Sequence, residues 1–186
     1  MHDKTRDNGG VRRILIVGPS AAGKTTLARG LATRFGIPHL ELDSVYHQAG
    51  WTPLSTPEFR AQVAVVVSGD RWVIDGNYNA RVQDLIVTRA DTVVWLRMSR
   101  ALVMYQVLAR TARRMLSRQP LWNNNRESLR NVLSVDPERS IVAWAWLMHG
   151  KYDATYMTMQ AAAQPGQRWV VLRSRSEVRR WLREDG

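Results

Sequence analysis

A glycine-rich segment near the start of the chain has the residue types and spacing of a phosphate-binding loop. Four residues separate Gly18 from Gly23, and Lys24 and Thr25 follow directly. Glycines let the backbone curl so that successive amide hydrogens point at one anion, at the N-terminus of the following helix. In this motif the lysine reaches the β- and γ-phosphates of a nucleoside triphosphate, and the threonine hydroxyl ligates Mg2+. The segment therefore predicts a site for ATP with Mg2+. The predicted contacts to the triphosphate are Gly18, Ser20, Ala21, Ala22, Gly23, Lys24, Thr25 and Thr26.

Two aspartates close apolar runs that have the pattern of buried strands. Asp75 ends the run 71–75, and Asp43 ends a shorter run at 39–43. The carboxyl ends of parallel strands meet at the edge of the sheet where open α/β folds bind ligands. In phosphate-loop proteins a carboxylate at such a strand end holds Mg2+. Asp75 is therefore predicted to hold the metal together with Thr25, although an aspartate after a strand is also a common turn former.

A stripe of arginines forms a third set of candidates. Arg110, Arg114 and Arg118 recur every four residues on a predicted helix, and this spacing places them on one helix face. Guanidinium groups there would stabilise the charge of a transferring phosphoryl group. Arg110 and Arg114 are therefore candidate catalytic residues, and Arg110 is also a candidate contact to the triphosphate. The polar stretch that follows is predicted to form a lid that excludes water. The alternative is a solvated helix face.

The elements that must position these residues alternate along the chain. The apolar run 13–17 predicts a strand before the phosphate loop, and the helical pattern 23–35 predicts the helix after it, ended by Gly36. Further strands are predicted at 92–96 and 169–172, with helices between them. Strands separated by helices predict an α/β fold, with a parallel sheet covered on both faces. We expect a flexible tail at 1–10 and one domain at 11–186, with a lid or insert at roughly 110–140.

Composition narrows the class of protein. The chain has 186 residues, of which 45% are hydrophobic and 23% charged, values typical of one folded domain. It contains no cysteine, which excludes disulfides, thiolate metal sites and a cysteine nucleophile. The longest apolar runs fall well short of the roughly 18 residues of a membrane span, and no apolar targeting core follows the polar start. We therefore expect a cytoplasmic protein without a membrane partner.

The charge of the chain indicates anionic partners. Arginine outnumbers lysine 24 to 3, and the formal net charge is +11. Guanidinium groups bind phosphate well because they are planar and always ionised. A nucleotide or a nucleic-acid backbone fits this charge, although a solvated surface would also account for it.

Taken together, the sequence resembles the adenylate-kinase-like phosphate-loop proteins, and most closely the branch labelled DNA topology modulation proteins. The similar segments are the phosphate loop with the residues behind it, Leu42-Asp43, the stretch 50–53, the stretch 72–78 and the stretch 171–178. The resemblance implies a three-layer α/β/α fold of the nucleoside monophosphate kinase type. Its five parallel strands would lie in the order 2-3-1-4-5, with a helical lid.

The resemblance also implies roles for individual residues. Asp75 would lie beside the phosphate loop and hold magnesium, and Asp43 would lie one strand farther out and bind the acceptor or act as a base. The segment from Arg173 to Ser176 would pass close to the adenine. Adenylate kinases have an aromatic-Pro-Arg sequence after the Asp-Gly pair, whereas this chain has Asn77-Tyr78-Asn79. The resemblance therefore does not extend to adenosine monophosphate as the acceptor.

The function expected from these features is transfer of the γ-phosphoryl group of Mg2+–ATP to an unidentified small acceptor, by a kinase or an ATPase. The acceptor pocket would contain Asp43 and Tyr78. Two alternatives stay open. One is an ATP-dependent nucleic-acid-binding protein that modulates DNA topology, and the other is an ATPase or kinase that acts on a macromolecular partner.

Overall fold

The computed structural model describes residues 13–78, 80–117 and 140–184. These residues contain a five-stranded sheet with the order β2-β3-β1-β4-β5, in which all four neighbouring pairs are parallel. The strands are β1 (Arg13–Val17), β2 (His39–Glu41), β3 (Trp72–Asp75), β4 (Thr92–Leu96) and β5 (Arg168–Leu172). The predicted α/β class and the predicted strand order are confirmed.

Helices connect the strands and cover both faces of the sheet. They are α1 (Lys24–Phe35), α2 (Leu42–Tyr46), α3 (Thr56–Val67), α4 (Gln83–Val87), α5 (Arg100–Ser117), α6 (Ile141–Ala161) and α7 (Arg175–Glu184), with a short 3-10 turn at Ala49–Trp51. Helices α2 and α4 have five residues each. They were not predicted, because so short an element shows no helical periodicity.

The core consists of two layers of apolar side chains, one on each face of the sheet. Ile14 and Ile16 of β1 pack on the face that holds Leu27 and Leu31 of α1. The alternate β1 residues, Leu15 and Val17, pack on the other face with Phe59 and Val63 of α3. Successive strand side chains point to opposite faces, so a strand buried on both sides reads as one continuous apolar run. This pattern is why β1, β3 and β4 are recognisable in the sequence.

The second strand ends earlier than its pattern indicates. The predicted strand 39–43 is wrong at its end, because β2 stops at Glu41 and Asp43 is the second residue of α2. Leu42 is fully buried, and the Ser44 hydroxyl donates to the Glu41 carbonyl at 2.7 Å. Burial of this leucine turns the chain away from the sheet.

Part of the predicted lid falls on residues for which nothing is described. Helix α5 continues to Ser117, and residues 118–139, with Arg118, lie outside the described residues, as does the tail 1–12. Within the described ranges, no helix combines the length and apolar character needed to cross a bilayer.

Candidate active site

The phosphate loop joins β1 to α1 and depends on two glycines with positive φ. Gly18 has φ 143°, and a Cβ added there would lie 2.6 Å from the Leu96 carbonyl oxygen, so no other residue fits this close approach. Gly23 caps α1 with φ 98°, and between them Ala21 also has a positive φ of 60°. The first turn of α1, described in full, has no acidic residue. Its amide groups and the helix dipole favour an anion at this end.

Lys24 is folded back across the loop that it follows. Its Nζ donates to the carbonyl oxygens of Gly18 at 3.0 Å and Pro19 at 3.1 Å. Burial lowers the pKa of this ammonium, and the carboxylates of Asp43 and Asp75 oppose that effect. Phosphate oxygens would replace the carbonyl groups as stronger, charge-assisted partners.

Asp75 lies at the end of β3, directly beside Thr25. The Thr25 hydroxyl donates to Asp75 Oδ2 at 2.7 Å, and His39 Nε2 lies 2.8 Å from Asp75 Oδ1. The Asp75 residue is only 2% exposed. Hydroxyl and carboxylate oxygens are the donors that Mg2+ prefers, and Mg2+ keeps several waters and phosphate oxygens as its other ligands. The pair therefore fits a Mg2+ site.

Glu41 and His39 belong to this site but were not among the predicted site residues. Glu41 Oε1 lies 3.2 Å from the Thr25 hydroxyl, and Arg29 lies 3.3 Å from the other Glu41 oxygen. The signal that could have found Glu41 is the register of β2 and β3, which places it opposite Asp75. Extending β2 to Asp43 hid that pairing.

Asp43 faces a different group of side chains. The Tyr78 hydroxyl donates to Asp43 Oδ1 at 2.6 Å, and His47 Nε2 lies 3.4 Å from that hydroxyl. Burial raises the pKa of the Tyr78 phenol far above its usual value, and the Asp43 carboxylate adds to this. Burial lowers the pKa of His47, whereas Asp43 raises it. The structure thus brings Asp43 and Tyr78 together, as the sequence predicted.

Aromatic rings surround this carboxylate. Tyr46 contacts the rings of His47, Phe59 and Tyr78 with centroid distances of 5.1, 5.3 and 4.8 Å. His47 also contacts Trp51 at 5.4 Å. These five rings lie beside Asp43, and we call them the aromatic wall: Tyr46, His47, Trp51, Phe59 and Tyr78.

Asn77 ties the phosphate loop to the segment after β3. Its Nδ2 donates to the Gly18 carbonyl oxygen at 2.6 Å, and its Oδ1 lies 3.3 Å from the Gly18 amide nitrogen. The Tyr156 hydroxyl of α6 donates to the same Oδ1 at 2.8 Å. One amide side chain thus joins three elements: β1, β3 and α6.

The remaining predicted site residues are two arginines of α5, Arg173 and the other residues of the phosphate loop. Arg110 of α5 lies close enough to Lys24 to lower the pKa of its ammonium. The Arg114 side chain lies outside the described residues, and Arg173 is exposed at the end of β5. Ser20, Ala21 and Gly23 are partly buried, Ala22 is buried, and Thr26 is exposed.

A further contact links the loop to the C-terminal part of the chain. With its amide oriented to satisfy both neighbours, Gln106 donates to the Ala21 carbonyl oxygen at 3.2 Å and accepts from Arg175 at 2.7 Å. The start of α7 therefore lies near the loop.

Comparisons with known proteins find sequence similarity over part of the chain and similarity of fold over nearly all of it. No family model matches the chain. A cytidylate kinase of Granulibacter bethesdensis is 54% identical over 37 residues, which cover 20% of this chain and 18% of that protein. A cytidylate kinase of Xanthobacter autotrophicus is 42% identical over 53 residues, which cover 28% and 26%. The matches thus span about a fifth to a quarter of the length of these relatives.

The similarity of the fold extends over nearly the whole chain. The crystal structure of shikimate kinase from Bacteroides thetaiotaomicron superposes with a TM-score of 0.54 over 92% of this chain and 94% of that one, at 14% sequence identity. The architecture is therefore that of a phosphate-loop kinase fold. Both partial sequence matches are to kinases, and each covers less than a third of this chain.

Proposed function

We propose that this protein is a phosphotransferase that moves the γ-phosphoryl group of Mg2+–ATP to a small acceptor bound beside Asp43. The observation that supports it best is the position of Lys24. Its ammonium lies in the phosphate loop, and Asp75 and Asp43 both act on it electrostatically. The predicted metal-side and acceptor-side carboxylates therefore both lie close enough to this ammonium to stabilise its charge.

Each part of the site has a definite task in this proposal. The loop amides and Lys24 hold the triphosphate, and Thr25 and Asp75 hold Mg2+. When bound, the metal neutralises charge on the phosphates. In this proposal Arg110 and Arg114 of α5 supply positive charge to the transferring group, and Arg173 contacts the nucleoside. Asn77 fixes the loop through Gly18.

Replacing Lys24 with alanine tests this proposal. The variant loses a cation at the transferring phosphate, and we expect turnover to fall by about 10²-fold or more, as when one oxyanion donor is removed. The measurement is ADP production from Mg2+–ATP, with and without acceptors. Lys151→Ala is the matched control, because Lys151 is exposed on α6 and outside the site. Turnover of Lys24→Ala within about twofold of wild type would contradict the role of this lysine.

A nucleic-acid-binding role, as the DNA topology modulation label indicates, is the second candidate. The observation that favours it is a row of exposed arginines on α7, at positions 175, 179 and 183. Their spacing of four places them on one helix face, where they could follow a phosphate backbone.

A further inference from the structure

We propose that the acceptor is an alcohol, whose hydroxyl group gives its proton to Asp43, and not a nucleoside monophosphate. This inference rests on the proposed function and names the substrate class of the same site. It starts from the position of Asp43 between the phosphate loop and the aromatic wall.

One carboxylate oxygen of Asp43 already accepts a hydrogen bond within the protein. The Tyr78 phenol donates to Oδ1 at 2.6 Å, and because burial keeps this phenol protonated, it remains a donor at neutral pH. Oδ2 is then the oxygen that can accept from an incoming hydroxyl. Among the charged groups that act on Lys24, Asp43 has the largest effect. Its donor Tyr78 directly follows Asn77, which binds Gly18 of the phosphate loop, so this carboxylate lies near the loop that would hold the γ-phosphate.

A carboxylate in this position suits one class of nucleophile. An alcohol is protonated at neutral pH, so its attack is helped by a base within hydrogen-bond distance. A phosphate monoester is largely ionised at that pH. It needs no base, and it would be repelled by Asp43. Such an acceptor needs cations instead.

Two of the described arginines on this side of the site are paired with carboxylates, and a third contacts a hydroxyl and an aromatic ring. Arg60 binds Asp84 through two contacts of 2.8 Å, and Arg29 pairs with Glu41. Arg81 donates to the Thr56 hydroxyl at 2.6 Å and lies 5.1 Å from the centre of the Tyr46 ring. The ion pairs of Arg60 and Arg29 favour an acceptor without a phosphate group, because each of these two charges is already balanced by a carboxylate.

The aromatic wall supports the same conclusion. Ring faces pack against the C–H groups of a hydroxylated carbon skeleton, whereas a phosphate dianion that contacts the same rings loses part of its hydration. The wall therefore favours a compact alcohol, such as a polyol or a hydroxylated ring, over a nucleotide.

The proposed step conserves atoms and charge. The acceptor hydroxyl transfers its proton to Asp43 Oδ2 as its oxygen forms a bond to the γ-phosphorus of ATP. The bond between that phosphorus and the bridging oxygen of ADP breaks. The products are a phosphate ester and ADP, and Asp43 then releases the proton to solvent.

The test is ADP release from Mg2+–ATP by the full-length protein with two panels of acceptors. One panel contains alcohols: glycerol, ribose, myo-inositol, shikimate, cytidine and uridine. The other contains the monophosphates CMP, UMP and AMP. We expect at least one alcohol to raise the rate about tenfold or more above hydrolysis, and no monophosphate to do so. Stimulation by a monophosphate alone, or by neither panel, would overturn the inference.

Variants of the carboxylate give the second readout. With the active alcohol, Asp43→Asn should lower kcat by about 10²- to 10⁴-fold, the usual contribution of a general base. Tyr78→Phe should cause a smaller loss of kcat, because the ring stays and only the donor to Oδ1 is removed. Asp70→Asn, at an exposed position after α3, should behave as wild type. A kcat for Asp43→Asn within about threefold of wild type would overturn the role of the base.

Different results would contradict the proposed function and the alcohol inference. If the wild-type protein does not bind Mg2+–ATP, the proposed function fails. If it binds ATP and phosphorylates only monophosphates, the phosphotransferase stands and the alcohol inference fails.

Discussion

Asp75 and Asp43 lie at the same edge of the sheet, at the end of β3 and just after β2, but in different surroundings. Asp75 is almost inaccessible to solvent and contacts the Thr25 hydroxyl and the His39 ring. Asp43 accepts from a phenol within a cluster of aromatic rings. Environment decides which role a carboxylate takes in a site that contains two of them. The difference favours metal binding for Asp75 and contact with the acceptor for Asp43.

His47 makes stability depend on pH in a direction that can be measured. Burial lowers its pKa in the folded protein, and Asp43, which faces it together with Tyr78, only partly opposes this. The unfolded chain therefore binds a proton more readily than the folded one. Stability should be fully present above about pH 6.5, the ordinary value for histidine, and should fall as pH drops through the lower folded-state pKa.

The test compares Tm at about pH 7.5 and pH 5. We expect His47→Gln to lose less Tm than wild type over this range, because the variant has no group to protonate at that position. The three other histidines are common to both proteins and contribute equally. Equal losses of Tm would show that His47 does not control this dependence.

Among the elements, Asn77 connects the phosphate loop to the segment after β3 and to α6. Asn77→Asp keeps the shape of the side chain but removes the donor to the Gly18 carbonyl oxygen, because a carboxylate can only accept. We expect the KM for ATP to rise by about tenfold, the scale of losing a hydrogen bond or two in a partly buried site. Steady-state kinetics at saturating acceptor measures it, with kcat determined separately.

Tyr156→Phe is the companion variant. It retains the ring, which packs against Trp95 and Tyr152, and removes only the hydroxyl that donates to Asn77. A rise in KM of about two- to threefold is expected. If Asn77→Asp leaves the KM for ATP within about twofold of wild type, the connection does not position the loop.

The elements also show what a sequence can and cannot predict. Strands β1, β3 and β4 are buried on both faces, so their apolar runs identify them. The phosphate loop is recognisable because its conformation demands glycines at fixed positions. The predicted end of β2 at Asp43 is wrong, because Leu42 continues the apolar pattern of the strand although it is the first residue of α2. The contacts of Asn77 could not be predicted, because they join residues 59 positions apart and depend on how the strands are arranged.

For the molecule as a whole, the net charge of +11 predicts binding to polyanions that weakens with salt. Arg175, Arg179 and Arg183 lie on one exposed face of α7. Each phosphate contact contributes about 0.9 to the slope of log affinity against log salt on duplex DNA. Replacing all three with glutamine should therefore lower that slope by about three. Fluorescence anisotropy with a labelled duplex between about 50 and 200 mM salt measures it.

The effect of Mg2+–ATP on the affinity for duplex distinguishes nonspecific electrostatic binding from a nucleotide-controlled function. We expect the same affinity for duplex with and without Mg2+–ATP, because Arg179 and Arg183 lie one and two turns beyond Arg175, whose side chain reaches Gln106 beside the phosphate loop. Lys24→Ala is the control. If ATP changes the affinity in wild type but not in Lys24→Ala, the protein is a nucleotide-controlled nucleic-acid-binding protein.

The close contact between Gly76 and Leu42 has a consequence for how the acceptor site could diverge in evolution. A Cβ on Gly76 would lie 2.7 Å from the Leu42 Cβ, so the backbone after Asp75 and the backbone before Asp43 are locked together. The two carboxylates therefore cannot drift apart without disrupting the core. The stretch 47–55 lies nearer the surface: its 3-10 turn is exposed, and its ends are held by the bridge between His47 and Pro53 and by backbone hydrogen bonds from Gln48 to Thr52 and from Leu54 to Tyr46. Divergence among related chains should therefore concentrate in this stretch, so that new acceptors arise while the catalytic spacing is inherited unchanged.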